Sequence, residues 1–224
     1  QEDKQLIDLA KSVAEMGGKE ALTYFRNSGL TINSKLFTKF DPVTDADLAA
    51  EDKMRSYIRE MRPNDTIIGE ERGVFKGTSD LTWSLDPIDG TRAFISGIPV
   101  WTVLVSVVKN NLPILGVIYQ PFTEEFFVGG FGVSNYCRFG STKVIEVRNC
   151  QSLKLAFLSS TFPEIGTILE RKAFEKIAGQ VELCRYGLDA YAYALLAAGH
   201  LDIVLEAGLK PYDVQAPIAL IEAA

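Results

Sequence analysis

The chain has 224 residues, with 29 acidic against 23 basic side chains, a net charge of −6 and 47% hydrophobic residues. Such an acidic balance excludes a nucleic-acid backbone as the main partner, which needs clustered Lys and Arg. With no apolar run of membrane-spanning length, it reads as an ordinary globular chain that works away from membranes.

A small anionic substrate stays admissible, because metal ions can supply the positive charge. Cys137, Cys150 and Cys184 are odd in number, scattered and without metal-ligand spacing, and the first residues are polar. These features predict a reduced, cytoplasmic setting and no signal peptide.

In chain order, apolar residues at helical spacing run from about 3 to 27, with Gly17-Gly18 a candidate kink. In Asp41-Pro-Val-Thr-Asp-Ala-Asp47, Thr44 is a candidate N-cap and Asp45 and Asp47 suit a first helical turn. That helix runs to about Met61. Thr66 to Gly69 reads as a short strand ending at Glu70-Glu71, where adjacent carboxylates need a cation, either a metal or Arg72. Residues 73 to 80 read as a flexible loop.

Leu81 to Leu85 is an apolar strand that Asp86-Pro87 interrupts. Asp89-Gly90 breaks the backbone again, and Thr91 to Ser96 opens a helix. Two carboxylates in such a turn suit a hard divalent cation, and the helix start suits a phosphate. Two strands joined at Lys109-Asn110-Asn111 form a hairpin, and β signal continues at 125–129 and 143–147.

Beyond residue 150, strands and helices alternate: 155–159, 165–178, 181–184, 188–198, 202–206 and 214 onward. The expected organisation is an α+β lobe over 1–150 and an α/β lobe over 151–224. Asp213 stands before the last helix as a candidate N-cap. The single histidine, His200, follows Gly199 as a helix-end residue, which tells against histidine-based acid–base chemistry.

Taken together, Asp41-Pro-Val-Thr-Asp-Ala-Asp47, Gly69-Glu-Glu71, Asp86-Pro-Ile-Asp-Gly-Thr91 and Pro211-Tyr-Asp213 resemble, in order and spacing, the inositol monophosphatase family of Mg²⁺-dependent, lithium-sensitive phosphatases. The resemblance implies an α/β fold, a layered α-β-α-β-α sandwich with an antiparallel sheet in its first half and a mixed sheet in its second, as a homodimer. It implies that Glu70, Asp86, Asp89, Asp213 and the Ile88 carbonyl hold two or three Mg²⁺ ions. Asp47 and Thr91, with Glu70, are implied as the catalytic residues that orient and deprotonate the attacking water. The N–H groups of Gly90 and Thr91 are implied to hold the phosphate. Phosphoryl transfer needs mostly positioning and charge neutralisation, which an oxygen-only ligand set provides.

Within that family, Arg185-Tyr-Gly-Leu-Asp-Ala-Tyr-Ala-Tyr193 and Glu206-Ala-Gly-Leu-Lys-Pro-Tyr-Asp213 look like the histidinol-phosphatase subgroup. The implied substrate is histidinol phosphate, with Asp189 and Glu206 facing its cationic groups and Arg185 beside them. The rival is inositol phosphate or a broader set of polyol phosphates. Family members usually continue beyond Ala224 with a turn, a strand and a helix. The sequence is accordingly expected to be incomplete or trimmed in its second lobe.

Overall fold

In the computed structural model, which describes residues 1–27, 32–34 and 42–224, helix α1 (Glu2–Leu22) comes first. Its stripe of Leu6, Ala10, Val13, Ala14 and Ala21 is buried, as one face of a 3.6-residue repeat should be. Gly17 and Gly18 lie on the same buried face and do not interrupt the helix. A Cβ on Gly17 would strike Met54, and one on Gly18 would strike Tyr119 and Pro121. Their small size lets α1 approach its neighbours.

Strands β1 (Ile32–Ser34) and β2 (Pro42–Thr44) pair antiparallel. β2 leads into α2 (Asp45–Met61), for which Thr44 is the N-cap: its hydroxyl accepts the Ala46 N–H at 3.2 Å. Asp41, the first acid of the sequence motif, lies outside the described residues.

The large sheet follows: β3 (Thr66–Gly69), β4 (Gly73–Phe75), β5 (Leu81–Asp89), helix α3 (Thr91–Ile95), β6 (Thr102–Lys109), β7 (Leu112–Gln120), β8 (Glu125–Gly130), β9 (Val133–Arg138) and β10 (Ser141–Val144). Its order is β10-β9-β8-β7-β6-β5-β3-β4. Every pair is antiparallel except β3 with β5, which run parallel with Gly69 opposite Leu85. The exception matters, because parallel strands end on the same side. The residues just beyond that pair, Glu70 and Asp86, become neighbours.

Residues 73–80 are not the expected loose loop. β4 pairs with β3, and the N–H groups of Thr78 and Ser79 donate to the Asn64 carbonyl. The hairpin at Lys109 is as expected, with Asn110 and Asn111 both at positive φ, 52° and 63°.

The rest of the chain supplies a 3₁₀ turn (Leu153–Leu155), β11 (Phe157–Ser160), α4 (Ile168–Ala178), β12 (Leu183–Tyr186), α5 (Tyr191–Ala197), β13 (Ile203–Val204) and α6 (Pro211–Ala223). The three strands form a second sheet in the order β12-β11-β13. It is wholly parallel, where a mixed sheet was expected.

The layers are those of the expected sandwich. Helices α1 and α2 cover one face of the large sheet over a core containing Trp83, Leu85, Met54 and Ile67. Helices α5 and α6 cover the other, with Ala194, Ala216 and Leu220 against Leu104, Ile118 and Phe127. The small sheet packs Leu158 against Phe174 of α4.

Candidate active site

Four carboxylates come from three chain segments. Glu70 follows β3, Asp86 and Asp89 stand in the bulged end of β5, and Asp213 is in the first turn of α6. Asp86, Asp89 and Asp213 can each present an oxygen within 4.8 Å of the others. The Glu70 carboxyl lies close enough to that of Asp86 to raise its proton affinity. Pro87 is tolerated because the ladder is already broken there: pairing with β6 shifts register between Asp86 and Asp89.

Local bonds aim these groups. Asp86 Oδ1 accepts the Ile88 N–H at 3.0 Å, and Asp89 Oδ2 accepts the Ala190 N–H at 2.6 Å. Asp213 Oδ2 accepts the Lys210 N–H at 2.6 Å. Asp213 is the third helical residue of α6, with Lys210 as N-cap, so it is not itself the N-cap the sequence suggested.

Burial holds the Asp86 carboxyl well above the usual carboxylate range, and the charges of Glu70, Asp89 and Asp213 push it further. Asp89 moves the same way, chiefly through burial and then through Asp189, while the Ala190 N–H works against the shift. Acids this close and this buried repel one another. Oxygen-only donors of this kind match a hard divalent cation such as Mg²⁺. Arg72, the alternative partner considered for Glu70-Glu71, turns to Asp52 instead, at 2.6 Å.

Asp47, fully buried in α2, has a fixed orientation. Its Oδ2 accepts the Thr44 N–H at 2.8 Å and the Thr44 hydroxyl at 2.6 Å. Its Oδ1 faces Thr91, whose hydroxyl lies 3.4 Å away and 3.3 Å from the Ile88 carbonyl. Gly90 precedes Thr91 at φ +84°, a left-handed conformation that glycine adopts without a Cβ penalty. A Cβ there would also lie 3.0 Å from the Asp189 carboxylate.

A cleft of about 260 Å³ opens beside the acids, and Asp89, Asp189, Tyr193, Glu206 and Asp213 all line it. Burial pushes the Asp189 carboxyl up to about 6, opposed by the charge of Arg92. Glu206 Oε1 accepts the N–H and hydroxyl of Thr161 at 2.6 and 2.8 Å. Burial raises its carboxyl and those two bonds offset part of the shift.

Arg185 is exposed on β12 and is not among the residues that line this cleft. The cation that acts on Asp189 is Arg92, from α3.

Sequence reading also passed over Thr161 and Glu51. Glu51 is fully buried in α2 and stands four residues after Asp47, on the same helix face. That spacing was a usable signal.

Comparison with known proteins gives the frame for this arrangement. The inositol monophosphatase family model matches residues 2–224. The chain belongs to the inositol monophosphatase family. It is thereby placed among the Mg²⁺-dependent phosphoric monoester hydrolases.

Bifunctional phosphatase IMPL2, chloroplastic, of Arabidopsis thaliana is 37% identical over 96% of this chain, which spans 61% of that protein's length. The histidinol-phosphatase of Mycobacterium tuberculosis is 30% identical over 93% of this chain and 82% of its own. An inositol monophosphatase structure from Zymomonas mobilis superposes with a TM-score of 0.84 at 35% identity, covering 98% of this chain and 83% of its own.

Proposed function

We propose that this chain hydrolyses histidinol phosphate to histidinol and inorganic phosphate. The observation that carries the substrate is the pairing of two carboxylates, Asp189 and Glu206, in the cleft that Asp89 and Asp213 also line. A cleft walled by acids beyond the cluster favours a cationic amino alcohol over a neutral polyol, through charge-assisted hydrogen bonds. The likeness to a histidinol-phosphatase supports the same reading. On the family's pattern the chain works as a homodimer, with the segment from residue 151 onward recognising the leaving group, and its scattered free cysteines fit a cytoplasmic setting.

In this reading Glu70, Asp86, Asp89, Asp213 and the Ile88 carbonyl would hold Mg²⁺, which would supply positive charge against the phosphoryl oxygens and lower the pKa of the attacking water. The N–H groups of Gly90 and Thr91 orient the phosphate. Asp47 is poised by Thr44, leaving Oδ1 to hold the Thr91 hydroxyl and to take, through it, the proton that the water gives up. The water oxygen forms the new P–O bond as its proton passes through Thr91 to Asp47, the ester P–O bond breaks, and the leaving alkoxide takes a proton from solvent to depart as the alcohol.

A second reading, inositol-1-phosphate as the preferred substrate, is favoured by the likeness to the Zymomonas mobilis inositol monophosphatase. Phosphate release from both esters with Mg²⁺ separates the two. Histidinol phosphate is expected to give the higher kcat/KM, and a higher value for inositol phosphate would replace the first reading with the second. Asp189→Ala is expected to lower kcat/KM for histidinol phosphate by roughly tenfold or more, the scale of one charge-assisted bond. The same change should cost inositol phosphate little, and equal losses on both would remove Asp189 from recognition.

A further inference from the structure

The turn that carries Glu70 is held from behind by a carboxylate. Glu51 Oε2 accepts the Glu71 N–H at 2.7 Å, and Oε1 accepts the Arg72 N–H at 3.0 Å and the Arg55 Nε–H at 2.6 Å. Two successive backbone N–H groups thus converge on one side chain, the arrangement of an anion nest. On the same turn, the Glu70 N–H donates to the Leu85 carbonyl at 3.2 Å, and Arg55 Nη2 donates to the Gly73 carbonyl. Gly69 closes the clamp, since any Cβ there would run into the Glu51 carboxylate.

Burying a carboxylate is costly unless its lone pairs are filled. Glu51 is fully buried, and its donors come from the Glu70 turn and from Arg55, whose side chain is 11% exposed. Asp47, Glu51 and Arg55 follow one another at four-residue spacing along α2. One face of one helix therefore fixes Asp47 directly and Glu70 at one remove.

We infer that Glu51 is the positioning residue for Glu70: it locks the 70–73 turn so that the Glu70 carboxylate is presented to Asp86, and thereby sets the affinity of the cluster for Mg²⁺. This rests on the reading of Glu70 as a metal ligand given above. Groups that orient metal ligands without touching the metal typically govern tenfold to a hundredfold in affinity or activity.

The test is a Mg²⁺ titration of melting temperature without substrate, run alongside the Mg²⁺ dependence of phosphate release. Glu51→Gln keeps the size of the side chain but replaces one acceptor oxygen with a donor, so one of the N–H bonds must fail. The Mg²⁺ concentration at half-effect is expected to rise about tenfold in both measurements, with kcat at saturating Mg²⁺ within about threefold of wild type. Amide exchange at residues 71 and 72 of the chelated protein should quicken.

Arg55→Lys, which keeps the charge but loses the forked contact to Gly73, is expected to shift the same midpoint about threefold, and it decides the matter if Glu51→Gln does not fold. Wild-type Mg²⁺ midpoints in the variants that fold would overturn the inference. Glu70→Ala separates the two levels. If it leaves Mg²⁺ binding unchanged, the reading of the site itself fails; if it weakens binding while the clamp variants do not, only the role of Glu51 fails.

Discussion

Gly90 is where two distant parts of the chain meet most tightly. Its φ of +84° costs any other L-residue about 1–2 kcal/mol. The nearest atoms to a would-be Cβ belong to Asp189, 99 positions along the chain but 3.0 Å away. Gly90→Ala is therefore expected to lower stability by about 1–3 kcal/mol in urea unfolding and to displace Asp189 from the cleft. The activity loss should be larger on histidinol phosphate than on inositol phosphate; no change in stability would contradict the strained turn. Asp86, Asp89 and Thr91 became site candidates in sequence only beside the other acidic stretches, because Asp, Pro and Gly are ordinary turn residues. Glu51 was passed over although its four-residue spacing from Asp47 put it on the same helix face, because on an acid-rich helix a buried glutamate looks like a solvated one until its partners are known. Arg185 stands four positions before Asp189 in sequence, yet the cation whose charge acts on Asp189 is Arg92, which the fold brings in from α3.

Whole elements were most legible where one local rule decides them. The β6–β7 hairpin follows from two consecutive asparagines that accept positive φ, and α2 starts at Thr44 because its hydroxyl and Asp47 form a reciprocal cap. β9 was missed because its Ser, Asn, Cys and Arg residues carry no alternating apolar pattern and it stays largely half-buried. Gly17-Gly18 was misread because a glycine that loosens a helix and a glycine that lets it pack look alike in sequence. The cap of α2 has a functional edge, since the Thr44 hydroxyl and N–H both bind Asp47 Oδ2. Thr44→Val is expected to cost about 1–2 kcal/mol of stability as a lost cap. It should also lower kcat more than it raises KM, since Asp47 loses half of what orients it. Thr44→Ser, which keeps the hydroxyl, should restore both; a stability loss without any change in kcat would confine Thr44 to capping.

At the scale of the whole molecule, the parallel pairing of β3 with β5, the bulge after Asp86 and the start of α6 bring acids from residues 70 to 213 to one place, around the buried Asp86. Sequence order alone could align the motifs but not show that a single parallel pair inside an otherwise antiparallel sheet is what joins the first two. Such a concentration of acids opposes folding when no cation is bound. Asp86 and Asp89 hold their protons more tightly folded than unfolded, because their carboxyls are raised in the folded chain. For raised acids, the stabilising contribution is complete below the unfolded value of 3.8 and is lost as pH climbs through the higher folded value. In a chelator, the melting temperature is thus expected to carry a component that falls as pH rises from acid toward neutrality. Added Mg²⁺, which binds the ionised cluster of the folded chain, should raise the melting temperature more at pH 7.5 than at pH 5. Asp86→Asn removes one of the repelling charges. It should make the chelated protein more stable than wild type at pH 7.5, by about 1–2 kcal/mol, while abolishing activity and most of the Mg²⁺-induced rise. A chelated variant no more stable than wild type, with the Mg²⁺ response intact, would mean that the cluster is neither strained by its own charge nor the place where the ion binds.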